Sequence, residues 1–189
     1  MNPTSKVLLV LSVLAPCALS AQAPLKAGLS GRATTQVALN GPREAGKPAP
    51  TALVIKIDYG QPHARGREVP AELSKVETVW RTGANTSTTL TTDVDLMIGT
   101  ASVPKGAYSL YSIRTAAGYL LIINKNTGQW GTEYLVAQDL ARVPLASRTL
   151  AETRESLQIA LAPVGDQAPK GALTIAWGKL ELSTNWAAK

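Results

Sequence analysis

The sequence has one cysteine, one histidine and no phenylalanine, and each shortage removes a class of chemistry. Cys17 falls in a segment read below as removed on export, so the mature protein then has no thiol. Disulfides, thiol catalysis and cysteine-ligated metal are excluded with it. With His63 alone, a metal site would have to be rich in carboxylates, and any histidine-dependent catalysis must use that ring. His63 lies in Gly60-Gln61-Pro62-His63-Ala64-Arg65-Gly66-Arg67, a loop by composition close to two arginines. A solvent-exposed loop histidine is expected. The Gly-x-Ser-x-Gly elbow of a serine hydrolase is absent, as are a phosphate-cradling glycine loop and a dinucleotide fingerprint. Asp93-Val94-Asp95 matches a fragment of a calcium loop but lacks its glycine and distal glutamate, and reads as a hairpin connection. No cofactor and no metal are expected, and the catalytic residues are unknown because no complete catalytic set is legible.

Dense charge is missing too. Nineteen Lys and Arg against thirteen Asp and Glu give a formal +6, or +5 once Lys6 is lost. The basic residues are scattered, without the stripe and interleaved aromatics of a nucleic-acid-binding surface. Only a mild attraction to anionic surfaces follows.

Nor is there a long apolar run. Val7 to Ala15 is apolar apart from Ser12, far short of the roughly 20 residues a membrane-spanning helix needs. Lys6 before it and the small residues Ala18 to Ala23 after it complete the three-part pattern of a secretory signal peptide, with cleavage expected between Ser20 and Ala23. Pro16 and the Pro/Gly-rich stretch that follows speak against an N-terminal core helix. Leu14-Ala15-Pro16-Cys17 resembles the box before a lipid-modified cysteine, but proline at that place fits poorly, so lipid anchoring at Cys17 stands as the alternative to ordinary secretion. The expected organisation is a signal peptide over 1–23, a flexible N-terminal segment over 24–31 and a single β domain over 32–186. The address is secreted or periplasmic, with no transmembrane segment after cleavage.

Period-two alternation dominates the mature chain and signals half-buried strands. Ala33 to Leu39 sets Thr35, Val37 and Leu39 on one face, and Leu53 to Tyr59 does the same with Leu53, Ile55, Ile57 and Tyr59. The Pro/Gly-rich loop between them predicts a long-looped antiparallel pair. Thr86 to Thr92 is rich in β-branched residues, which suits strands and disfavours helices. Val94, Leu96 and Ile98 alternate next, and Tyr108 to Ile113 follows a turn. Tyr119 to Ile123 is apolar throughout, as in a strand covered on both faces. Leu157 to Leu161 and Leu173 to Trp177 complete the set, with Leu180 and Leu182 in phase beyond a bulge at Gly178. Helical spacing is limited to Ala71 to Trp80, with a turn at Val136 to Arg142. Seven to nine short strands predict an all-β fold, an antiparallel β-sandwich or jelly-roll-like barrel with little helix.

Several strings lack an obvious structural reason: Gly66-Arg67-Glu68-Val69-Pro70, Val79-Trp80-Arg81-Thr82-Gly83-Ala84-Asn85, Val103-Pro104-Lys105-Gly106-Ala107-Tyr108-Ser109-Leu110, Asn124-Lys125, Gln129-Trp130-Gly131 and Asp139-Leu140-Ala141-Arg142-Val143. In this order they resemble the bacterial family known as domain of unknown function 2911, over about Gly31 to Trp186. The resemblance implies a secreted or periplasmic β domain with no assigned activity.

Two readings attach to these strings. In the structural one, Trp80 plugs the core and Arg81 pairs with an acid such as Asp58 or Asp139. Asp139 and Arg142, three apart on a helical turn, then form an ion pair, and Trp130 and Tyr134 anchor a loop. In the functional one, Arg81 grips a carboxylate or phosphate as a planar bidentate donor, Asn85 fixes orientation, and an exposed aromatic stacks on a sugar ring or peptide. The candidate ligand-binding residues are Arg67, Arg81, Asn85, Trp130, Tyr134, Asp139 and Arg142. They suit a noncatalytic module of the cell envelope whose partner is a small molecule, glycan or envelope protein. The alternative is an envelope hydrolase with Asp58 or Asp139 as base and Arg81 or Asn85 stabilising negative charge. A scaffold pairing through an exposed sheet edge is a third.

Overall fold

The computed structural model describes residues 28–165 and 169–189; the expected signal segment, its expected cleavage site and Cys17 lie outside them. Ten strands are present: β1 (Arg32–Leu39), β2 (Leu53–Gly60), β3 (Val79–Trp80), β4 (Thr88–Thr92), β5 (Leu96–Ile98), β6 (Ala101–Val103), β7 (Gly106–Thr115), β8 (Gly118–Asn124), β9 (Asp139–Pro163) and β10 (Lys170–Ala188). All pairings are antiparallel, in the order β1-β2-β4-β7-β8-β9-β10-β5-β6, with β3 beside β4 on the same margin of β7. β9 and β10 are 25 and 19 residues long, and β9 joins the two halves of the sheet. β9 pairs with β8 through residues 139–145 and with β10 through 146–163. The all-β expectation holds, and the sheet is sandwich-like and not closed.

The faces follow from the alternation. Inward go Ile55 and Ile57, Leu110, Leu121 and Ile123, Leu157 and Ile159, Leu173 and Ile175, with Trp80 stacked on Trp177 at 5.9 Å and 14°. Where β1 and β2 face the second half of β9, side-chain hydroxyls take the place of a backbone ladder. The Leu161 amide donates to Thr35 Oγ1 and the Ile159 amide to the Tyr59 hydroxyl. β7 and β8 are buried on both faces, as the unbroken apolar run predicted. Their outer side holds a second cluster of Tyr111, Ile113 and Ile122.

Three expectations need correction. Ala71 to Trp80 does not form a helix: a 3-10 turn over Glu72–Ser74 ends at the extended Lys75, and Val79 and Trp80 pair with Ile113 and Ser112. Burial of Trp80 and the free margin of β7 outweigh a weak helical spacing. Asp93 to Asp95 is not a hairpin connection, because β4 and β5 do not pair; it crosses between distant parts of the sheet. His63 is half-buried rather than exposed, since residue 63 bridges to Ser156 and Nδ1 lies 2.7 Å from Ser156 Oγ.

Gly178 marks a register shift between β10 and β9. Its φ is +61°, and a Cβ there would lie 2.4 Å from the Val69 carbonyl oxygen. Gly128 has a similar φ of +82° with open space around it. Gly178→Ala is therefore expected to lower the unfolding free energy by more than about 2 kcal/mol, and Gly128→Ala by only about 1 kcal/mol. Urea unfolding of both variants checks the difference; equal losses would refute the bulge contact.

Candidate functional site

The outer cluster on β7 and β8 has to be covered, and two segments cover it. Residue parity decides what each presents. On β3 and its continuation, Trp80 and Thr82 turn inward, Thr82 Oγ1 meeting Ser112 Oγ at 2.8 Å; Val79 and Arg81 turn outward with Ile113 and Tyr111. The second segment, residues 125–138, is tied down at several points. Asn124 Nδ2 donates to the Leu135 carbonyl at 2.8 Å, the Asn126 amide to Asn124 Oδ1 at 2.9 Å, and the Gln129 carbonyl accepts from the Ser87 amide at 3.1 Å. Gln129 Nε2 donates to the Tyr111 hydroxyl at 2.8 Å, and the Tyr134 ring tilts across Tyr111 with centroids 4.9 Å apart.

Between the two segments lies a cavity of about 350 Å³ lined by Glu72, Val79, Trp80, Arg81, Tyr111, Gly131, Thr132 and Tyr134. Gly131 is required where Arg81 crosses it, because a Cβ there would fall 2.5 Å from Arg81 Cδ and 2.8 Å from the Asn85 carbonyl oxygen. That carbonyl in turn accepts the Gly131 amide at 2.9 Å. The strings around Trp80 to Asn85 and Gln129 to Gly131, about 45 residues apart in sequence, therefore meet in one wall.

At one end of this wall the polar groups satisfy one another. Asp139, its side chain 14% exposed, accepts from the Tyr134 hydroxyl at 2.6 Å, Arg142 Nε at 3.0 Å and Asn124 Nδ2 at 2.9 Å. Arg142 also donates to the Tyr134 oxygen at 3.0 Å. The ion pair expected from the three-residue spacing exists, but no helix makes it. Positions three apart on a regular strand face opposite sides; the register shift opposite Ile123 and Asn124 inserts an extra residue and returns Asp139 to the face of Arg142.

Arg81 is different. The expected pairing with Asp58 or Asp139 does not form, because Asp58 is held by Arg32 and Thr34 and Asp139 by the three donors above. Among the described residues, the Arg81 guanidinium has no hydrogen-bond or ion-pair partner, and neither has the Glu72 carboxylate. The other candidates are placed as follows. Asn85, at φ +63°, donates from its amide to the Ser30 carbonyl at 3.3 Å and supports the cavity only through its backbone. Trp130 does not anchor the loop as the structural reading had it; it is 49% exposed beside Gly131. Arg67 is apart from the rest, its guanidinium on the Ala64 and His63 carbonyls and its side chain in a different groove with Thr149, Thr153 and Lys179. Sequence reasoning missed Glu72, Tyr111 and Thr132. Tyr111 had a usable signal, an aromatic in a strand apolar on both faces; Glu72 and Thr132 had none. Among the described residues no three His, Cys, Asp or Glu side chains gather to hold a metal ion, and no helix is long and apolar enough to cross a membrane.

The Tyr134 hydroxyl is pushed up to about 12, first by burial, then by the bond to Asp139 and its charge, with Arg142 pulling the other way. A raised tyrosine value means the folded state holds the proton more tightly. The resulting stability is whole below about 10, tyrosine's ordinary value, and is lost as pH rises from there through about 12. Tyr134→Phe is expected to be less stable than the parent near neutrality by about 1 kcal/mol and to lose less stability across that alkaline window. Chemical denaturation at a series of pH values measures this; parallel curves would remove the Tyr134 contribution.

No curated protein and no solved structure matches the chain. Residues 43–185 match the family model described as protein of unknown function (DUF2911), a span that starts later than the resemblance suggested, omitting β1 but holding every residue of the cavity wall, and on that match the chain belongs to this family.

Proposed function

We propose that the protein is an exported, noncatalytic binding module whose outer-face cavity takes a small ligand by a carboxylate or phosphate held on Arg81. The observation that carries this is the guanidinium itself, set in a concave, partly aromatic wall without an internal partner. Arg32, Arg142 and Arg148 pair with carboxylates and Arg65 and Arg67 with backbone carbonyls, whereas Arg81 has neither. A cavity of about 350 Å³ is at the small end of ligand pockets, which favours a single small molecule over a long glycan. Tyr134 and Tyr111 supply ring surface, and the bonds among Asp139, Arg142 and Tyr134 keep that wall rigid. Export is supported by the three-part pattern of residues 1–23.

The hydrolase reading has little to stand on in this geometry. A general base needs a carboxylate free to take a proton, whereas Asp139 already accepts three hydrogen bonds and Asp58 is paired on β2.

Acetate, benzoate and inorganic phosphate are suitable probes. At least one of them is expected to raise the melting temperature of the parent protein in proportion to the logarithm of its concentration, and Arg81→Gln is expected to abolish that rise. Because Arg81 has no partner to lose, the substitution by itself is expected to change stability by less than about 0.5 kcal/mol. No stabilisation of the parent by any of the three anions, or equal stabilisation of Arg81→Gln, would overturn the proposal.

A further inference from the structure

The cavity carries a second unpaired charge. Glu72, on the 3-10 turn before β3, lines the same concavity as Arg81, yet no ion pair joins them. Opposite charges facing one small cavity ordinarily collapse onto each other. Here they do not: the Arg81 stem lies across Gly131, where a Cβ would meet it, and Glu72 is an exposed residue of the 3-10 turn before β3.

Resting on the anion-binding reading above, we infer that the ligand is a small zwitterion, an α-amino acid or a close analogue, with its carboxylate on Arg81, its ammonium on Glu72 and an apolar side chain against Val79, Tyr111 and Tyr134. Three features favour this class over a simple anion. A carboxylate in the wall repels a purely anionic ligand, most of all a dianionic phosphate, and thereby selects against it. An ammonium entering the same site meets the Glu72 carboxylate as a charge-assisted acceptor and is further favoured near the faces of tyrosine rings. The rest of the lining is apolar or aromatic, with Thr132 the remaining polar side chain, so the ligand's third substituent needs no charge.

Isothermal titration with L-leucine, N-acetyl-L-leucine and L-leucinamide separates the contributions, using the parent chain, Glu72→Gln and Arg81→Gln. Leucine is expected to bind the parent at least about tenfold more tightly than either singly charged analogue, a factor that corresponds to about 1.4 kcal/mol. Glu72→Gln is expected to bring leucine down to the level of N-acetyl-leucine while leaving N-acetyl-leucine unchanged or slightly tighter. Arg81→Gln is expected to weaken leucine and N-acetyl-leucine but not leucinamide. If N-acetyl-leucine equals leucine and Glu72→Gln changes neither, the zwitterion inference falls while the anion site on Arg81 stands. If Arg81→Gln changes none of the three affinities, the anion site falls and this inference with it. Absence of binding by all three at millimolar concentration overturns the zwitterion, and the response to acetate, benzoate and phosphate then decides the anion site separately. Both substituted side chains lack internal partners, so loss of fold does not confuse the result.

Discussion

Tyr111, Ile113 and Ile122 stand on the outer face of β7 and β8, and the need to keep them out of water organises the half of the molecule that holds the cavity. A single sheet face can be satisfied by folding the sheet over itself, and the main core does this. Strands that are apolar on both sides leave a second face that the fold-over cannot reach. The two isoleucines contribute roughly 1.5–3 kcal/mol each when buried, and the hydrogen bonds of the covering loop add to this in holding irregular segments across the sheet. The segment leading into β3 and the 125–138 loop do this work, and the cavity is the space that two irregular segments, unlike a helix or another sheet, leave between them.

How those segments are held sets the electrostatics of the wall. Buried polar groups need partners, and the loop supplies them in a chain: Ser87 to Ser109, Gln129 to Ser109 and Tyr111, Asn124 to Asp139, and Tyr134 and Arg142 to Asp139 again. At that end Asp139 and Arg142 answer each other, while Gln129 Oε1 is buried without a partner. The chain stops short of Arg81 and Glu72, which sit on the other segment, and the contrast between the bonded Asp139 end and two unanswered charges gives the cavity its polarity. The glycine at position 131 is the hinge of the arrangement, since it lets Arg81 run along the loop backbone instead of folding back toward the sheet.

Much of the β framework was legible in the residues because strand alternation is a local property. The pairing of β1 with β2, the double burial of β8 and the bulge at Gly178 all follow from side-chain period and from what a glycine permits. Where the reading erred, a distant partner decided. Lys75 to Trp80 lacks strong local preference, and β7 recruited its end. His63 looked like loop surface until β9 came alongside. The Asp139 and Arg142 pair was expected for a reason the structure does not use: spacing on a helix proposed it, and a bulge in a strand made it.

By itself the sequence determined the alternation of faces, the scarcity of helix and the kinds of side chain available for a site. Those depend on residue type and near-neighbour spacing, which are written in the order of the chain. Only the tertiary structure decided that Arg81 would have no acid, that Glu72 would share its cavity, and that Arg67 would lie in another groove. Ion pairing depends on distances between residues far apart in sequence, and those distances are set by which strand margins meet and by which glycine lets a backbone approach.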